Sequence, residues 1–227
     1  MAPMPAAREA LTLAPTETQN PVVKSSVVKL AALHVEARET ARLANLLGRS
    51  AYVVLALPAL TLAALAVSGL SDGLVRPLVW AAFMAMATAA IVIAYRHAIG
   101  RPFERDALKS FSQDLSAILL FAGFAWGAGA FLAMPTNLPT GAMAIFLAAA
   151  GASVGLLLRE QEMLFRFLAP ATVLASLACV LRPSTGGVLD LALVLIVSAA
   201  IGGASMLAER MRDRASEMPE LAGLPTA

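Results

Sequence analysis

Six apolar runs of roughly twenty residues divide the chain, at 51–70, 75–95, 115–134, 140–158, 164–181 and 189–208. Short polar breaks separate them: Ser71-Asp72-Gly73, a longer stretch from Arg96 to Asp114, Pro135-Thr-Asn-Leu-Pro139, Arg159-Glu-Gln-Glu-Met163 and Arg182-Pro-Ser-Thr-Gly-Gly187. At about 1.5 Å of rise per residue, such runs match the roughly 30 Å hydrocarbon core of a bilayer. The pattern predicts an all-α, polytopic membrane bundle of six transmembrane helices. Pro77 suits the first turn of the second helix, whereas Pro58 and Pro170 each remove a backbone donor inside a helix.

The flanking segments have a different rhythm. Residues 1–26 hold four prolines and no apolar period, which predicts a disordered N-terminal segment. From 27 to 50, Leu30, Leu33, Ala37, Ala44 and Leu47 recur at helical spacing among Lys29, Glu36, Arg38, Glu39 and Arg42, which predicts an amphipathic cytoplasmic or interfacial helix. That helix either leads the chain onto the membrane surface or relays a signal by dimerising. No apolar run follows the first residues, so the span beginning at Ala51 is expected to act as an uncleaved anchor. Residues 209–227 read as a short cytoplasmic tail, with Pro219, Gly223 and Pro225 opposing helix. The six spans form one domain, 51–208.

Composition agrees with that pattern. Of 227 residues, 59% are apolar and 14% charged, too little polar surface for a water-exposed domain of this size. A net charge of +2 argues against nucleic acid as a partner. Lys and Arg fall fifteen on one side of the bundle and two (Arg76 and Arg182) on the other. The positive-inside rule then places both termini in the cytoplasm. Most of the seventeen cations are Arg and alanine is abundant, a usage associated with bacteria, so the expected location is the cell inner membrane.

Candidate chemistry is sparse. Asp72, Asp114 and Asp190 sit at span ends, and mid-span positions lack the ionisable groups that proton relays and pumps place there. His34 and His97 lie outside the spans, Cys179 stands alone, and no zinc spacing or phosphate-binding loop occurs. No catalytic residues, cofactor or metal are expected. What remains is packing: Gly123 with Gly127, and Gly151 with Gly155, are small residues four apart that let helix backbones approach closely. They are expected to form contact faces between the third and fourth spans, with Ala148/Ala152 and Ser198/Gly202 as weaker stripes. Trp80 reads as an interfacial anchor and Trp126 as bundle filling. Arg96, Arg101, Arg105 and Lys109 are candidates for lipid-headgroup contact, or serve only to set topology. Arg159, Glu160, Glu162 and Arg166 form either a headgroup cluster or a solvated turn.

A charged lead-in helix, a hydrophobic hairpin, an Arg-studded loop, Ala125-Trp126-Gly127 with Pro135, the Gly151/Gly155 span, and Phe165 to Pro170 follow one another in that order. The arrangement resembles the multi-spanning N-terminal membrane sensor regions of bacterial signalling proteins, as on diguanylate cyclases and histidine kinases. The resemblance implies a sensory or interaction module whose partners are the lipid bilayer and either a second copy or another membrane protein. Neither a Gly-Gly-Asp-Glu-Phe signature nor a phosphoacceptor segment is present, so an output domain is not expected. The alternative is a small transporter or channel subunit, with Pro58 and Pro170 breaking helices around a site.

Overall fold

The computed structural model describes residues 21–68, 75–100, 105–133, 141–181 and 187–222, and every described element is helical. Six helices follow in order: α1 (Pro21–Ser68), α2 (Val75–Ile99), α3 (Arg105–Leu132), α4 (Ala142–Leu158), α5 (Gln161–Leu181) and α6 (Gly187–Ala222). Five are long and apolar enough to cross a membrane; α4, with 17 residues, is the short one. The chain divides into two compact units, 1–39 and 40–227. In the first, described from Pro21 onward, Leu30, Leu33 and Val35 are exposed.

Helix boundaries depart from the sequence expectation chiefly where helices run further into the polar segments; at Ser68, Leu132 and Ala142 they instead fall two residues inside the expected bounds. Helix begins at Pro21, inside the segment expected to be disordered, because a proline at the first helical position gives up only an amide that would be unpaired anyway. Between Arg96 and Asp114 only 100–104 separates α2 from α3. The amphipathic turn Leu108, Phe111, Leu115 buries its apolar side and carries helix three turns past the hydropathic boundary. At the other end α6 continues through Pro219 to Ala222, where Ala, Glu, Met and Arg favour helix and the proline comes one turn from the end.

Within 40–227, helix α3 is the centre. Leu115, Leu119 and Ala122 on it are fully buried, as are Phe167 and Ala171 on α5. Paired contacts fix the helix directions. Gly123 meets Phe167 and Gly127 meets Ala171, so α3 and α5 run parallel. Gly151 meets Leu168 while Gly155 meets Leu164, so α4 runs antiparallel to α5. Gly141 contacts Asp190 and Gly151 contacts Ile201, so α4 and α6 are parallel. Outward, large apolar side chains are bare: Leu55, Leu62, Ile93, Ile145, Leu156, Val173 and Ile196 are all more than half exposed. An apolar exterior around a packed interior is what a bilayer solvates.

Candidate functional site

Of the two glycine pairs, Gly123 and Gly127 mark very close approaches between helices. A β-carbon on Gly123 would lie 2.2 Å from the Phe167 carbonyl oxygen and 2.8 Å from Cγ of Pro170. On Gly127 it would lie 2.7 Å from Cβ of Leu174 and 2.9 Å from the Ala171 carbonyl. Backbone therefore seats directly on backbone, and the ring of Pro170 occupies the notch at Gly123. The partner of this face is α5 and not the sequence-adjacent α4. Gly151 and Gly155 are looser, with leucine and isoleucine methyls of α5 and α6 at 3.1 Å or more from the added carbon. Along α6, Ser198 shares a 2.8 Å hydrogen bond with Thr172 of α5, and Gly202 lies beneath Phe165.

Gly129, which no motif singled out, makes a second backbone-level contact. Trp80 of α2 donates from Nε1 to the Ala125 carbonyl at 2.9 Å. Gly129 sits one turn beyond that carbonyl, and a β-carbon there would lie 2.7 Å from the same indole nitrogen. The missing side chain opens the helix surface so that the indole can reach a carbonyl already inside the α-helical ladder. Trp126 packs edge-on against Trp80, with centroids 5.6 Å apart at 63°. Trp80 is 2% exposed, so it locks α2 to α3 instead of anchoring at the membrane interface.

At one end of the bundle, Asp190 of α6 accepts a 2.6 Å hydrogen bond from the Gly141 amide, which opens α4 in a left-handed conformation (φ 87°). A carboxylate there meets both an orphan amide and the positive end of the helix dipole. The opposite end converges on the two-residue turn Arg159-Glu160. Arg42 of α1 donates from Nε to Oε1 and Oε2 of Glu160, at 2.8 and 2.9 Å, and its Nη2 also contacts Oε2. Arg212 of α6 donates from Nη1 to the Arg159 carbonyl at 3.1 Å, and from Nε to the Ala208 carbonyl at 3.2 Å. Arg159 itself holds φ 54°, left-handed for a side chain that gains nothing locally from it. Its amide returns to the Gly155 carbonyl at 3.0 Å and ends α4. Arg166 pairs with Glu162 at 3.5 Å on the exposed face of α5.

Beside this turn, a cavity of about 520 Å³ opens between α4 and α6. Its lining is mostly small or apolar, with Ala152, Gly155, Ala204 and Ala208 beside Leu164 and Ile201, and it also includes Ser205, Arg159 and Arg212.

The expected headgroup candidates are not gathered into a site. Arg96 is exposed in the last turn of α2, Arg105 opens α3, Lys109 lies one turn further on, and Arg101 falls outside the described residues. Helices α1 and α5 stay continuous through Pro58 and Pro170. Among the described residues, no three His, Cys, Asp or Glu side chains are grouped to hold a metal ion. No protein-family profile, curated protein or solved structure matches the chain.

Proposed function

We propose that this chain is a six-span bacterial inner-membrane protein, with both termini cytoplasmic, that works as a sensory or interaction module. The observation that supports it best is the convergence of Arg42 and Arg212 on Arg159-Glu160. Through that turn, the first and last helices are both held to the junction of α4 and α5 by polar contacts. A shift of α4 against α5 therefore reaches α1 and α6 together, which is the mechanical requirement of a relay. The unbroken helices at Pro58 and Pro170 favour this reading over a transporter built on discontinuous helices. So does the resemblance in element order to bacterial sensor regions.

The test is purification in a mild detergent, with mass determination of the complex. A homodimer or a stoichiometric membrane partner is expected, and its proportion should change in Glu160→Gln, which removes the acceptor charge while keeping the shape. A monomer without a stoichiometric partner, unaffected by Glu160→Gln, would sink the relay.

A further inference from the structure

We propose that the groove between α4 and α6 binds one anionic glycerophospholipid, an acyl chain lying along its apolar floor and the phosphate on Arg159 and Arg212. The inference rests on the membrane-embedded reading of the chain and not on the signalling one. Three observations carry it.

The groove has two chemistries in one cavity. Apart from Ser205, its lining is Ala, Gly, Leu, Ile and Met together with two arginines, Arg159 and Arg212, which stand where α4 and α6 lose their apolar character and so form its polar rim. Leu156, on the lip, is 74% exposed, so the groove opens sideways toward the bilayer and a chain can enter from lipid. A soluble phosphate compound would leave the apolar floor empty; a zwitterionic lipid would fill the floor but carry an ammonium toward the arginines.

The rim keeps its charge. Glu160 is taken up by Arg42 and Glu162 by Arg166, so the two carboxylates that follow Arg159 in the chain are already paired. Glu209 acts electrostatically on Arg42. The two bonds from Arg212 to backbone carbonyls use its Nε proton and one on Nη1, which leaves three N–H groups for phosphate oxygens. Those same bonds fix the guanidinium at the rim before any ligand arrives, and a fixed guanidinium loses little freedom on binding a phosphate.

Position and backbone agree. Both arginines stand where the apolar stretches of α4 and α6 end, the depth at which basic pockets between helices meet lipid headgroups. Arg159 adopts its left-handed conformation where glycine would be the ordinary helix terminator, so the position retains an arginine against its backbone preference.

Native mass spectrometry of the full chain, released from detergent with phosphatidylglycerol or phosphatidylcholine added at equal concentration, tests this. One retained phosphatidylglycerol is expected, favoured over phosphatidylcholine by roughly tenfold, in keeping with two charge-assisted contacts. Soluble glycerol phosphate should not displace it. Arg159→Gly, which removes the cation and relieves the backbone together, should lower retention about tenfold while leaving the fold intact; Arg212→Gln should do the same. Ala204→Phe fills the groove with both arginines kept and should abolish retention, whereas Arg96→Gln should leave it unchanged. Equal retention of the two lipids, unchanged retention in Arg159→Gly, or unchanged retention in Ala204→Phe would overturn the proposal. Displacement by glycerol phosphate would reassign the rim to a soluble anion and equally overturn it. Alkaline carbonate extraction of the same membranes separates the two levels: protein that stays in the pellet but selects no lipid defeats the groove alone, and protein that is extracted defeats the membrane reading.

Discussion

At the residue scale, the least conspicuous glycine makes one of the most specific contacts. Gly129 has meaning only beside Trp80, because its missing β-carbon is what lets the indole donate to the Ala125 carbonyl. Adding a single methyl puts it within 2.7 Å of a buried, hydrogen-bonded nitrogen that cannot swing aside. Gly129→Ala should therefore destabilise the bundle by about 1–3 kcal/mol, the range for overpacking a tight site. Trp80→Leu should cost about as much through lost burial and the lost hydrogen bond, the latter worth about 1 kcal/mol in a membrane interior. Since leucine vacates the space that the new methyl needs, the double variant should be more stable than the sum of the two changes. Equilibrium unfolding in mixed micelles measures that coupling, and strict additivity would show that the two side chains do not meet. Nothing in the sequence announced this pair. Gly129 follows Gly127 by two residues in an Ala/Gly-rich run where its four-residue spacing from Ala125 is one small-residue match among several, and a tryptophan five residues into an apolar run suits an interfacial belt equally well. Only the crossing of α2 over α3 selects between those fates.

At the element scale, the helices were legible and their neighbours were not. Hydropathy located all six, because the bilayer imposes a length on any segment that crosses it. It cut them short at Ser26, Asp114 and Glu209, because a hydropathy boundary marks where lipid contact ends, whereas helix persists as long as one face stays packed or propensity favours it. Leu108, Phe111 and Leu115 already show the four-three spacing that extends α3, beneath charges that mask it in a hydropathy window. The small-residue pair at Gly123 and Gly127 was equally readable as a close-approach face. Its partner was not, since a notch states how near a helix can come and not which helix comes. The fit is settled by α5, where Pro170 and Ala171 present a shape that enters the notch. Gly123→Leu should accordingly prevent stable assembly, with loss of folded protein from detergent-solubilised membranes. A β-carbon at the exposed Gly203 of α6 meets nothing within 4 Å, so Gly203→Leu should be neutral or slightly stabilising, by up to about 1 kcal/mol of helix propensity. Size-exclusion profiles of the two variants distinguish them, and equal behaviour would place the tight contact elsewhere.

At the scale of the whole molecule, the count of six crossings rests on α4. Its 17 residues span only about 25 Å, a few ångströms less than an average hydrocarbon core. Such a mismatch costs only fractions of a kcal/mol per ångström and is met by local thinning. The registers argue for a crossing. α4 is parallel to α6 and antiparallel to α5, and its first turn lies beside Asp190 while the residue that ends it, Arg159, meets Arg212, 22 residues further along α6. A helix that reached only partway could not touch both. A carboxylate at its start and an arginine pair at its finish give α4 a polar group at each end, as a crossing helix requires. With Cys179 replaced by alanine, single cysteines report the result directly. Thr136→Cys and Ser184→Cys should react with a membrane-impermeant maleimide in intact cells, while Lys109→Cys and Glu162→Cys should react only after permeabilisation. Thr136 precedes α4 and Glu162 follows it, so reaction of both from one side would reduce the bundle to five crossings. The opposite assignment of all four positions would keep six crossings and invert them, which would mean that the fifteen-to-two bias of Lys and Arg had failed to set orientation.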